Sequence, residues 1–85
     1  MGQGEKRLEA MRRNPRDGWR IEDIQVVCGA YGIELRPPKS GSHYKVTHPN
    51  SREILTIPAA RPIKPIYIRQ LVAFVDTLRT AKDDD

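Results

Sequence analysis

The sequence contains one cysteine, Cys28, among 85 residues. A single thiol cannot form a disulfide within the chain, and it cannot supply a cysteine cage for a metal ion. The chain must therefore be held together by the packing of apolar side chains. We expect it to use neither a metal ion nor any other cofactor.

Long apolar stretches are also missing. No run approaches the roughly 20 apolar residues of a transmembrane helix, and the first residues, MGQGEKR, lack the apolar segment of a signal peptide. A chain of this length has room for one small domain. We therefore expect a single domain in the cytoplasm, without a membrane partner.

Charge is distributed unevenly along the chain, whose net charge is +4. Residues 33–70 contain seven Lys or Arg and two Glu, whereas residues 21–32 and 71–85 are each net negative. Clustered cations displace counterions from a phosphate backbone, so the basic middle favours a polyanionic partner such as nucleic acid. The alternative is a basic face that is simply solvated.

Two segments have apolar residues at helical spacing. In the first, a predicted helix over 21–31 that Gly32 ends as a left-handed cap, they are Ile21, Ile24, Val27, Cys28 and Tyr31. In the second, which starts at Pro65 and runs through Arg79, they are Ile68, Leu71, Val72, Val75 and Leu78. The charge-rich segment 5–13 predicts a further, short helix.

Alternating apolar and polar residues predict strands over 33–36, 43–48 and 53–57, and the turn formers of 49–52 make the last two strands a hairpin. One apolar stripe per helix and one apolar sheet face predict an α+β fold. Its order is helix, three-stranded antiparallel sheet, helix, with both helices on one sheet face. Alternation places three residues on the open face: His43, Lys45 and Thr47.

His43 is the first candidate for chemistry. Histidine exchanges protons near neutral pH, which suits cleavage of RNA by its own 2′-hydroxyl. That reaction needs a base, an acid and cations to offset the developing phosphorane charge. The alternative is a partly exposed strand histidine without a role. His48 points toward the core where the turn opens, so we expect it to anchor that turn.

Basic residues near the open face are candidate phosphate ligands. Any one of them is better explained as a plain solvated charge than as a phosphate ligand, but the fold can bring several around His43. The candidates are Arg36, Lys39, Lys45, Arg61 and Lys64. Cys28, on an apolar helix stripe, is expected to be a buried, inert thiol.

Several short motifs occur together: Gly41-Ser42-His43 opens a strand, His48-Pro49 lies at the hairpin, Ile57-Pro58 ends the third strand, and Ile63-Lys64-Pro65 leads into a helix. In combination, over about residues 20–79, they resemble the HicA-type toxins of bacterial toxin–antitoxin systems. The resemblance implies a fold like the double-stranded-RNA-binding domain and an mRNA interferase activity. It also implies a HicB-type antitoxin that covers the active site.

By this resemblance His43 matches the family's catalytic histidine, and Gly41 and Ser42 shape the turn before it. The chain then divides into an amino-terminal extension (1–18), a toxin-like core (19–80) and an acidic tail (81–85). The extension is longer than the family pattern requires. Packing, fraying and contact with RNA or antitoxin all stay open as its role.

The leading hypothesis is a metal-independent endoribonuclease in which His43 is general acid or base and cations such as Lys39, Lys45 and Lys64 hold phosphate. The second proton-transfer group is open between a water molecule, Lys45 and a histidine of a second subunit. One alternative is a non-catalytic RNA-binding module of the same fold. Another is a protein-interaction domain whose basic face meets an acidic partner.

Overall fold

The computed structural model describes residues 2–83, and the side chains of residues 2–79. Three helices and one three-stranded antiparallel sheet confirm the predicted α+β class. In chain order the elements are α1 (Gln3–Arg13), α2 (Ile21–Ala30), β1 (Glu34–Arg36), β2 (His43–Thr47), β3 (Leu55–Pro58) and α3 (Pro65–Asp83). None of these helices is both long enough and apolar enough to cross a membrane.

Helix α2 begins at Ile21, as predicted, and ends at Ala30, one residue before the predicted end. At its start the Asp23 carboxylate accepts a hydrogen bond from the backbone N–H of Arg20, at 3.0 Å. At its end Gly32 has φ +66°, a left-handed conformation that glycine adopts without steric strain. The N–H of Ile33 then donates to the carbonyl of Cys28 at 2.9 Å, which closes the cap and starts the path into β1.

Cys28 is buried on the inner side of α2, with 1% of its surface exposed. Desolvation raises the pKa of its thiol to about 12. Because the thiolate is the reactive form, a thiol that stays protonated at neutral pH is a poor nucleophile. The prediction that Cys28 is buried is confirmed, and its raised pKa agrees with an inert thiol.

The sheet has the order β1-β2-β3, and the predicted hairpin is formed by β2 and β3. Apolar residues stand opposite one another on its inner face, which is the face that the helices cover: Leu35, Tyr44, Val46, Leu55 and Ile57. The third strand begins two residues later than predicted and includes Pro58. Ile54 consequently lies outside the strand and is 61% exposed.

The outer face of the sheet is polar, as alternation predicts. The register pairs Glu34 with Thr47, Arg36 with Lys45 and Lys45 with Thr56, and His43 lies opposite Pro58 at one end. The predicted positions of His43, Lys45 and Thr47 on one open face are therefore confirmed.

Helix α1 belongs to the same hydrophobic core as the other helices. Leu8 and Met11 have no exposed surface and pack in one cluster with the residues of α2, α3 and the sheet. Gly4 lies so close to α2 that an added Cβ would meet the carbonyl oxygen of Val26 at 2.8 Å. Of the roles left open for residues 1–18, the structure shows packing for α1.

Two ion pairs tie α1 to its neighbours. Arg7 Nε donates to Asp23 of α2 at 3.0 Å. Arg12 donates through both terminal nitrogens to the Asp76 carboxylate of α3, at 2.6 and 2.8 Å. The Arg12 guanidinium holds the pKa of Asp76 below its usual value. Each pair is partly exposed, so it orients α1 more than it stabilises the fold.

Helix α3 continues to Asp83, beyond the predicted end near Arg79. Lys82 and Asp83, expected in a polar tail, are therefore helical. The rest of the predicted acidic tail, Asp84 and Asp85, lies outside the described residues.

Candidate nucleic-acid interface

The turn before β2 fixes the position of His43. Gly41 has φ +83°, a conformation that favours glycine over residues with a side chain. The carbonyl of Ser42 accepts a hydrogen bond from the N–H of Ala59 at 2.7 Å, which ties the turn to the end of β3. His43 then opens β2 as an exposed residue of the outer face. The backbone on both sides of the histidine is thus held in place.

His43 lies in an open cleft of about 570 Å³ at this end of the sheet. Its walls are formed by the end of β1, the following loop and β2. The residues that line it are Arg36, Pro37, Pro38, Lys39, Ser40, His43 and Lys45. Three of the five predicted phosphate ligands are therefore gathered around the histidine. Pro37 and Pro38 stiffen the wall between Arg36 and Lys39.

The cleft is cationic. No carboxylate is among the residues that line it. Within residues 2–79, no carboxylate lies within 4.0 Å of the amino groups of Lys39 or Lys45, and Arg36 has one acidic neighbour, Glu34. Clustered cations in a concave surface concentrate field lines and attract anions. The cleft thus has the shape and charge to bind phosphate groups.

Glu34 was not singled out by the sequence, although alternation puts it on the outer face beside Arg36. Its Oε2 atom accepts a hydrogen bond from Arg36 Nε at 2.6 Å and a longer one from Thr47 Oγ1 at 3.4 Å. The carboxylate therefore holds the Arg36 side chain at its Nε atom. The available signal was the i, i+2 spacing of opposite charges in one strand.

The remaining two predicted phosphate ligands do not line the cleft, and their role in binding RNA stays a prediction. Arg61 Nη2 is 3.8 Å from Glu22 Oε1, at the start of α2. Lys64 is exposed just before α3, and neither residue lines the cleft. The reason is the intervening Ile63, which is buried and whose N–H donates to the carbonyl of Trp19 at 2.9 Å. This hydrogen bond and the burial of Ile63 hold the loop that contains Arg61 and Lys64 against the segment that precedes α2.

His48 anchors the hairpin turn, as predicted. Its Nδ1 atom accepts a hydrogen bond from the N–H of Asn50 at 3.0 Å, and its carbonyl accepts one from the N–H of Ser51 at 3.0 Å. This hydrogen bond uses one ring nitrogen, Nδ1, to hold the turn. His48 is not among the residues that line the cleft, so His43 is the one imidazole among the described residues that does.

The arrangement can bind a phosphate and exchange one proton with it or its neighbouring hydroxyl. In the described part of the chain, no group of three or more His, Cys, Asp and Glu side chains has the arrangement of a metal site. Comparison with protein-family models, curated proteins and solved structures gives no match. The cleft itself is therefore the feature from which a function is inferred.

Proposed function

We propose that this protein is an endoribonuclease toxin of the HicA type, which cleaves mRNA without a metal ion and uses His43 as general acid or base. The observation that carries the proposal is the cleft, in which His43 lies with Arg36, Lys39 and Lys45 and without a lining carboxylate. RNA cleavage by the 2′-hydroxyl requires two proton transfers beside clustered cations, and His43 can supply one of them.

In the proposed reaction the 2′-oxygen attacks the adjacent phosphorus and the bond from phosphorus to the 5′-oxygen breaks. The products are a 2′,3′-cyclic phosphate and a 5′-hydroxyl. One group accepts the proton of the 2′-hydroxyl, and another delivers a proton to the leaving 5′-oxygen. His43 performs one of these transfers. Lys45 or a water molecule in the cleft performs the other, unless a second subunit supplies a histidine.

The cations would act on the charge that develops at phosphorus. Arg36 and Lys45 stand opposite one another on adjacent strands, and Lys39 lies on the loop beside them. Such fixed positive groups stabilise a phosphorane more than the ground-state phosphate, because the phosphorane carries more negative charge.

The same proposal includes a more specific assignment of the fold. From α2 to α3 the order is helix, antiparallel sheet, helix, with one sheet face covered and the other open. This order is compatible with a fold like the double-stranded-RNA-binding domain, to which α1 is added. The family also supplies two expectations about biology: a cytoplasmic location and a HicB-type antitoxin bound over the cleft.

A non-catalytic RNA-binding module of the same fold is the second candidate. It is favoured by the presence of one imidazole alone among the described residues of the cleft. The cations would suffice for phosphate binding, and His43 would contribute only a surface contact.

Incubation of the protein with a long single-stranded RNA in EDTA separates the two candidates. The enzyme should yield fragments with 2′,3′-cyclic phosphate ends, and single-stranded DNA of the same sequence should stay intact because it lacks the 2′-hydroxyl. Intact RNA that binds with a steep salt dependence would favour the binding module. Intact RNA that does not bind would contradict both.

A further inference from the structure

Three side chains on the outer face form a connected group around one carboxylate. Glu34 and Arg36 are two residues apart on β1, and Thr47 is the β2 partner of Glu34. Glu34 Oε2 accepts from Arg36 Nε at 2.6 Å and from Thr47 Oγ1 at 3.4 Å. Two strands thus hold the carboxylate between them.

The contact engages only one edge of the Arg36 guanidinium. The bond to Glu34 uses Nε, and in the described part of the chain the two terminal nitrogens of Arg36 have no protein acceptor. These terminal nitrogens form a fork that matches two oxygens of a phosphate group. Arg36 lines the cleft, so its fork is available where the ligand would lie.

Lys45 completes the arrangement from the next strand. It is the cross-strand partner of Arg36 and lines the same cleft as His43. We propose that Glu34 is a positioning residue, which orients Arg36 so that Arg36 and Lys45 together bind one phosphate group of the RNA strand beside His43. The inference rests on the proposed binding of RNA in this cleft.

Positioning and simple electrostatics predict opposite effects for Glu34. A carboxylate near a cationic cleft repels the phosphate backbone, so its removal should strengthen binding if charge were its only influence. If the carboxylate orients Arg36, its removal should weaken binding, because the freed guanidinium must then be ordered by the ligand. The sign of the change therefore distinguishes the two roles.

The test uses the full chain and a short single-stranded 2′-O-methyl RNA, which cannot be cleaved because its 2′-oxygen is blocked. Binding is measured by fluorescence anisotropy for the wild type, Glu34→Gln and a matched control, Glu53→Gln. Glu53 is also exposed, and within residues 2–79 no cation lies within 4.0 Å of its carboxylate. We expect Glu53→Gln to bind as tightly as the wild type or more tightly, and Glu34→Gln to bind about two- to five-fold more weakly.

The same substitution in an Arg36→Ala background shows whether Glu34 acts through the arginine. There Glu34→Gln should no longer weaken binding, and it should strengthen it slightly by removing a negative charge. An equal loss with and without Arg36 would assign Glu34 a merely structural role and would overturn the inference. Thermal unfolding of each variant provides the corresponding check on stability.

The failure of this inference is distinguishable from failure of the proposed function. If the wild type binds the 2′-O-methyl RNA and Glu34→Gln binds as tightly as Glu53→Gln, RNA binding stands and the positioning role is wrong. If the wild type does not bind the oligonucleotide at low salt, the proposed function and the inference that rests on it both fail.

Discussion

Arg36 on β1 and Lys45 on β2 lie directly opposite each other on the outer face of the sheet. Like charges at such a position in an antiparallel pair lower the stability of the fold by roughly 0.2–1 kcal/mol. An anion bound between the two side chains would remove this repulsion. Binding of an anion in the cleft should therefore raise the stability of the sheet.

We predict that Lys45→Gln raises the free energy of unfolding by about 0.2–1 kcal/mol and weakens RNA binding. The slope of log affinity against log salt should fall by about 1, as for the loss of one phosphate contact. Urea unfolding and anisotropy titrations at several salt concentrations measure both effects. Lys64→Gln is the matched control, since Lys64 does not line the cleft. Loss of stability in Lys45→Gln without loss of affinity would contradict this account.

The Arg12–Asp76 pair predicts a pH-dependent contribution to stability. Its guanidinium lowers the pKa of Asp76 in the folded chain, relative to about 3.9 in an unfolded one. The pair thus stabilises the fold above the unfolded pKa, and this contribution is lost as the pH falls through the folded pKa. With side chains 39% and 41% exposed, it should amount to about 0.2–1 kcal/mol at neutral pH.

Asp76→Asn tests this expectation because it keeps the shape of the side chain and removes its titration. The variant should be less stable than the wild type at pH 7, and the difference should vanish as the pH is lowered past the titration of Asp76. Thermal unfolding across the pH range measures it. A difference that is the same at every pH would rule out the charged pair as its cause.

The close approach of α1 to α2 predicts opposite effects for two glycine substitutions. A Cβ at Gly4 would clash with Ala30 Cβ and lie 2.8 Å from the Val26 carbonyl oxygen. Gly4→Ala should therefore lower the free energy of unfolding by about 1–3 kcal/mol. Gly29→Ala is the matched control on α2, where a Cβ meets nothing within 4 Å. It should raise stability by roughly 0.5–1 kcal/mol. Equal effects in urea unfolding would show that the helices are not in close contact.

Leu8 tests whether α1 is part of the core. Leu8 has no exposed surface, so Leu8→Ala should lower the free energy of unfolding by about 2–5 kcal/mol. Ala10→Ser, at an exposed position of the same helix, should change it by less than about 0.7 kcal/mol. If urea unfolding shows equally small effects for both, α1 does not contribute to the hydrophobic core.

Local signals predicted most of the fold. Gly32 marks the end of α2 and Pro65 marks the start of α3, because the backbone conformation that each of these residues favours is local. Alternation around Val46 indicates which sheet face is covered. The docking of α1 was not predictable in this way. The charged segment that forms α1 contains few apolar residues, among them Leu8 and Met11. Their burial depends on the apolar surfaces of α2 and α3.

In the candidate site, too, features with local signals were predictable and features that depend on long-range contacts were not. The grouping of Arg36, Lys39 and Lys45 with His43 follows from strand alternation and short distances along the chain. The position of Arg61 outside the cleft could not be predicted, because the loop path depends on the long-range bond of Ile63 to Trp19. The contact of Glu34 with Arg36 was not predicted, because alternation places both residues on one face but does not show that their side chains meet.

The most direct test of the central claim compares the only two histidines of the chain. RNA is incubated in EDTA with the wild type, His43→Ala and His48→Ala, each shown to be folded. We predict that the wild type and His48→Ala produce 2′,3′-cyclic phosphate ends, and that His43→Ala leaves RNA intact while still binding it. Undiminished cleavage by His43→Ala would contradict the assignment of His43 to the chemistry.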